Sequence, residues 1–109
     1  MEDSKYSQPR KYHKLVRDKI PAMLKSKGIP YKSHIADEGE YWAKLKLKLG
    51  EEVAEFTTEE SIEEMADIFE VVHAINRAKG WSWAEVDKVR QQKLDERGGF
   101  EKRIILEES

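Results

Sequence analysis

The sequence predicts an all-α fold: an antiparallel helix bundle of three long helices plus a short N-terminal helix, with a minor two-stranded β element as an added candidate. Three observations predict it. Apolar residues recur at three- and four-residue steps across 38–56, 61–79 and 82–97, which marks amphipathic helix faces. Each of these stretches opens on a residue suited to an N-cap, Asp37, Ser61 or Ser82, with Glu three positions on. Glycine closes the later two, at Gly80 and at Gly98-Gly99.

The elements follow in order. Met1 to Lys11 is polar and reads as a flexible, frayed segment ahead of a domain at 12–106, with 107–109 as a short tail. Tyr12 to Lys19 mixes basic and apolar residues, with Leu15 and Val16 as anchors to the core. Asp18 is a candidate N-cap and Pro21 suits a first turn, so a short helix is expected over Lys19 to Ser26. It would bury Ile20, Met23 and Leu24 and stop at Gly28. Tyr31 to Ala36 alternates weakly and is a candidate strand, with Lys102 to Leu106 as its candidate partner.

The first long helix runs from about Glu38 to Phe56, with Tyr41, Trp42, Leu45, Leu49, Val53 and Phe56 on its core face. Lys44, Lys46 and Lys48 lie mostly off that face and read as solvated. Gly50 weakens the helix by roughly 1 kcal/mol relative to Ala and suggests close packing. The second long helix runs to about Lys79 with a stripe of Ile62, Met65, Ile68, Phe69, Val72 and Ile75. The third runs to about Arg97 with Val86, Val89 and Leu94 inward. Trp81 and Trp83 at its start read as packing anchors, with nucleobase stacking as the alternative. His13, His34 and His73 are isolated, and His73 reads as a packed structural histidine.

The stretch with chemical content is Gly50 to Ile75. Glu52 and Glu55 are three apart and share a helix face, as do Glu64 and Asp67. The polar break at Thr57 to Ser61 offers a turn, and the two pairs mirror one another about it. An antiparallel hairpin therefore sets Glu55 against Glu64 and Glu52 against Asp67. Carboxylates bordering an apolar seam repel one another and resist desolvation. A divalent cation relieves both costs, and hard cations such as Mg²⁺ take oxygen ligands while keeping waters that a phosphate can replace. The competing reading is two solvated acidic faces, which suffices for one such pair but not for two at mirrored register. One conflict arises: a capping box would tie the Glu64 side chain back towards Ser61.

These residues carry a resemblance. Glu51-Glu52-x-x-Glu55 followed by Glu64-x-x-Asp67, with the opening KLVRDKIP at Lys14 to Pro21 and the closing KLDERGGF at Lys93 to Phe100, resembles the MazG-like all-α nucleoside triphosphate pyrophosphohydrolases, in particular a small single-domain subgroup related to phosphoribosyl-ATP pyrophosphohydrolase. It covers about residues 12 to 106. The resemblance implies an Mg²⁺-dependent hydrolase, with Mn²⁺ able to substitute, that cleaves a nucleoside triphosphate to the monophosphate and pyrophosphate. It implies Glu52, Glu55, Glu64 and Asp67 as metal ligands and these with Glu51 as the catalytic set. The general base stays open between Glu51 and a carboxylate not fully used as a ligand. Arg17, with Asp18 to hold it, and Lys93 and Arg97 would meet the phosphates. Compensation of the helix dipole is the other reading of Lys93 and Arg97.

Composition limits the alternatives. A chain of 109 residues is expected to be one domain with a modest core, and 39% hydrophobic against 39% charged residues suggests apolar faces shared in a homodimer or homotetramer. The net charge of −2 argues against specific binding of a nucleic-acid polymer. Without cysteine, disulfides and thiolate metal sites are excluded. No run is long and apolar enough for a membrane span and no signal peptide pattern is present, so a cytoplasmic location is expected. Two rivals remain: phosphoribosyl-ATP pyrophosphohydrolase of histidine biosynthesis, and a noncatalytic helical dimerisation or regulatory module that docks a basic partner.

Overall fold

The computed structural model describes residues 13–109, so the expectations for 1–11 and for Tyr12 fall outside it. Among the described residues the chain is all-α: α1 (Ile20–Ser26), α2 (Glu38–Thr58), α3 (Ile62–Lys79) and α4 (Trp83–Arg97), with no strand. The candidate strands at 31–36 and 102–106 form no ladder. A lone two-stranded ribbon is marginal in water, and neither run alternates strongly enough to change that. The chain divides into two compact units, Met1–Ile75 and Asn76–Ser109, with the boundary inside α3.

In the first unit, α1 starts after Lys19, not Asp18, and its cap residue makes no side-chain cap bond. Pro21 sits in its first turn, and Gly28 at φ +69 ends the segment. Asp37 caps α2 by accepting the Glu40 N–H at 2.9 Å. The Glu40 carboxylate instead meets His34 Nε2, at 2.9 and 3.0 Å, so His34 is not isolated. α2 runs two residues past Phe56. The Thr57 and Thr58 hydroxyls donate to the carbonyls of Val53 (2.6 Å) and Ala54 (3.2 Å), one turn back, and so remain within the helix. The turn to α3 shrinks accordingly to Glu59–Ser61. A Cβ added at Gly50 would meet no atom within 4 Å, so close packing does not require glycine there.

The core is small. Leu45 and Val71 are buried, with Tyr41, Trp42, Leu49, Phe56, Ile68 and Val72 half-buried around the hairpin. Val53, Val16 and Met23 are more exposed than their spacing suggests. On α3 the inward ridge is Ile68, Val71, Val72 and Ile75. The ridge of Ile62 (85% exposed), Met65 and Phe69 (53%) faces out, contrary to expectation. Periodicity defines a broad apolar stripe, but the packing within one chain covers only one side of it. His73 is exposed rather than packed inside.

In the second unit, Gly80 takes φ +73 and the Trp81 N–H donates to the Asn76 carbonyl at 2.9 Å, which closes α3. Ser82 caps α4 through the Glu85 N–H at 3.1 Å, and Gly98 ends it at φ +82. Val86 is half-buried, whereas Val89 and Leu94 are exposed, not inward.

Candidate metal centre

The centre is built from the facing sides of α2 and α3. The short turn folds α3 back along α2, and the mirrored register then delivers the acidic side chains to one place. Ligand oxygens of Glu52, Glu64 and Asp67 all lie within 4.8 Å of one another. Opposite ligands of an octahedral Mg²⁺ stand about 4.2 Å apart, so small side-chain rotations suffice to close the set on a cation. Glu55, the fourth expected ligand, lies outside this trio but is close enough for its charge to raise the Glu64 carboxyl.

The conflict over Glu64 is resolved by the main chain. Its backbone N–H donates to Ser61 Oγ at 3.2 Å, which caps α3, and its side chain remains with the acidic set. Burial lifts the Glu64 carboxyl above the ordinary range, and the Glu55, Asp67 and Glu52 charges lift it further. Two oxygens here, Glu52 Oε2 and Glu64 Oε2, are buried with no hydrogen-bond partner. An unsatisfied buried acceptor is costly, and a cation held between these carboxylates would satisfy both. The donor set is all carboxylate oxygen, which suits Mg²⁺, Mn²⁺ or Ca²⁺.

Two cations reach the same residues. Arg17 Nη2 donates to Asp67 Oδ1 at 2.7 Å, so Arg17 is held by Asp67 and not by the neighbouring Asp18. Lys48 Nζ lies 3.3 Å from Glu52 Oε1 and 3.5 Å from Glu51 Oε2, with only 20% of its side chain exposed. Lys48 is thus part of the centre and not a solvated lysine. The spacing from Lys48 to Glu52 was the available signal, since such pairs face one another on a helix. Between the ends of α2 and α3 lies a recess of about 340 Å³ lined by Ala54, Glu55, Thr58, Glu59 and Glu64. That volume falls within the range of small-molecule sites, about 300–1,000 Å³.

Lys93 and Arg97 belong to the second unit, both exposed on α4. Lys93 lines a cleft of about 610 Å³ with Trp81, Glu85, Val86, Val89 and Arg90. Trp81 and Trp83 are each 49% exposed, so neither is a fully packed anchor. No protein-family model matches the chain, and no curated protein or solved structure matches it significantly. No helix among the described residues is long and apolar enough to cross a membrane.

Proposed function

We propose that the chain is an Mg²⁺-dependent nucleotide pyrophosphohydrolase that converts a nucleoside triphosphate, canonical or modified, to the monophosphate and pyrophosphate. The observation that carries the reading is the meeting of Glu52, Glu64 and Asp67 with two buried carboxylate oxygens left unpartnered. Mg²⁺, or Mn²⁺ in its place, supplies neutralisation of phosphate charge and a more acidic bound water when held by these residues. Glu55, whose charge raises the Glu64 carboxyl, either completes the ligand set or serves as the base. Glu51, steadied by Lys48, is the other base. In the net reaction the water oxygen bonds to phosphorus, the bridging P–O bond to the departing pyrophosphate breaks, and the water's proton goes to a carboxylate. Arg17 fixes Asp67 and offers its remaining N–H groups to the phosphate. Lys93 and Arg97 are assigned to phosphate by the family resemblance.

The outward ridge of Ile62, Met65 and Phe69 supports a homodimer or homotetramer as the working form. The test is pyrophosphate release over a panel of triphosphates and phosphoribosyl-ATP, with Mg²⁺ and with EDTA. Release from triphosphates that EDTA abolishes is expected, whereas release from phosphoribosyl-ATP alone would assign the chain to histidine biosynthesis.

A further inference from the structure

We propose that the C-terminal arm of one chain docks in the Trp81 cleft of a second copy, with Ile104, Ile105 and Leu106 covering Trp81, Val86 and Val89. The proposal goes beyond the nucleotide reading and does not depend on it. Val86, Val89, Arg90 and Lys93 recur at three- and four-residue steps and share one face of α4, which Trp81 borders to form the cleft. Trp81 and Val89 are each 49% exposed in the single chain. Ile104, Ile105 and Leu106 are 78%, 82% and 76% exposed, in a segment with no helix or strand of its own. Contiguous apolar residues exposed to this degree mark an interaction site.

Charge selects the occupant and its direction. The arm reads Lys102-Arg103, three apolar residues, then Glu107-Glu108. The cleft places Glu85 towards the start of α4 and Arg90 and Lys93 towards its end. From Glu85 to Lys93 the helix rises about 12 Å, and an extended chain from Arg103 to Glu107 spans about 13 Å. An arm running parallel to α4 therefore sets its basic end on Glu85 and its acidic end on Arg90 and Lys93. Lys93 is also assigned to phosphate above; Arg90, whose Nε donates to Asp87 Oδ1 at 2.7 Å, meets the acidic end through its Nη groups.

The chain's own arm reaches this register only at nearly full stretch. Arg97 and Glu85 are about 18 Å apart along the helix. The Arg103 N–H donates to the Phe100 carbonyl at 3.1 Å, a turn that holds those two residues within about 7 Å. Arg97 to Phe100 adds at most about 11 Å, so the arm covers the distance only when nearly fully stretched on a straight path back along the helix. Folding back antiparallel is short enough but brings Glu107 and Glu108 towards Glu85. A second copy has neither restriction.

The absence of native cysteine makes the test direct. Full-length V89C and I105C chains are mixed under mild oxidation and run on a non-reducing gel, with K25C, at an exposed position outside both the cleft and the Ile62 ridge, replacing V89C as the control. Groups held in contact experience effective concentrations near millimolar, so at about 10 μM chain the V89C–I105C heterodimer should form on the order of a hundredfold faster than the control. Arg90→Glu in the V89C chain should slow it, and Glu107→Arg with Glu108→Arg in the I105C chain should restore it. Crosslinking at the control rate, a charge reversal without effect, or an intramolecular crosslink in the double-cysteine chain at any dilution would each overturn the proposal. None of these readouts involves nucleotide or metal.

Discussion

Glu64 concentrates the electrostatic cost of the acidic cluster. Its carboxyl is raised by burial and by three neighbouring carboxylates, so the folded state binds its proton more tightly than the unfolded chain does. The stability this contributes is full below the ordinary Glu range and is lost as pH rises through the raised folded value. In EDTA, the melting temperature should therefore fall over that window, and Glu64→Gln should flatten the fall and abolish stabilisation by Mg²⁺. A pH profile unchanged by the substitution would contradict the assignment. Lys48 gives the complementary prediction. Lys48→Met leaves Glu52 buried without its cation and should lower stability in EDTA by about 1–3 kcal/mol, with Mg²⁺ recovering more in the variant than in the parent protein. Denaturant melts with and without Mg²⁺ measure both. The facing of Glu52 with Asp67 and Glu55 with Glu64 was legible in sequence, because helical spacing and a short turn fix it locally. The Arg17–Asp67 pair was not, because those residues are separated by 50 positions and only the folded packing joins them.

The helices test the fold without touching chemistry. Gly50 occupies a helix interior with open space beside it, so Gly50→Ala should stabilise the protein by about 0.5–1 kcal/mol in urea unfolding. Asp37→Ala removes the cap of α2 and should cost about 1 kcal/mol. Ser61→Ala should cost a similar amount while leaving metal binding in place, because the cap uses the Glu64 backbone and not its carboxylate. Caps and glycine stops were readable because each depends on a few adjacent residues. The far end of α2 was misplaced by two residues because the Thr57 and Thr58 hydroxyls bond back into the helix, against their usual tendency to leave it. The strands failed because pairing is non-local and two weak runs gain too little from it.

Across the described residues, several apolar side chains of the helices remain exposed. The apolar stripe of α3 was visible in sequence, but which of its ridges turns inward depends on what it packs against. Ile62, Met65 and Phe69 stay in solvent in the single chain. Lys93 and Arg97 were legible as a basic pair on α4, and what they face is a matter of packing that spacing does not encode. The account predicts that Glu52→Gln and Asp67→Asn retain helical content and lose turnover by at least about a hundredfold, the scale of loss expected when a catalytic charge is removed. The central claim is tested most directly by measuring pyrophosphate release from a panel of nucleoside triphosphates with Mg²⁺ and with EDTA. The account predicts release from one or a few of them that EDTA abolishes and that Glu52→Gln and Asp67→Asn lose. Release unaffected by EDTA, or none from folded protein with any nucleotide tested, would contradict it.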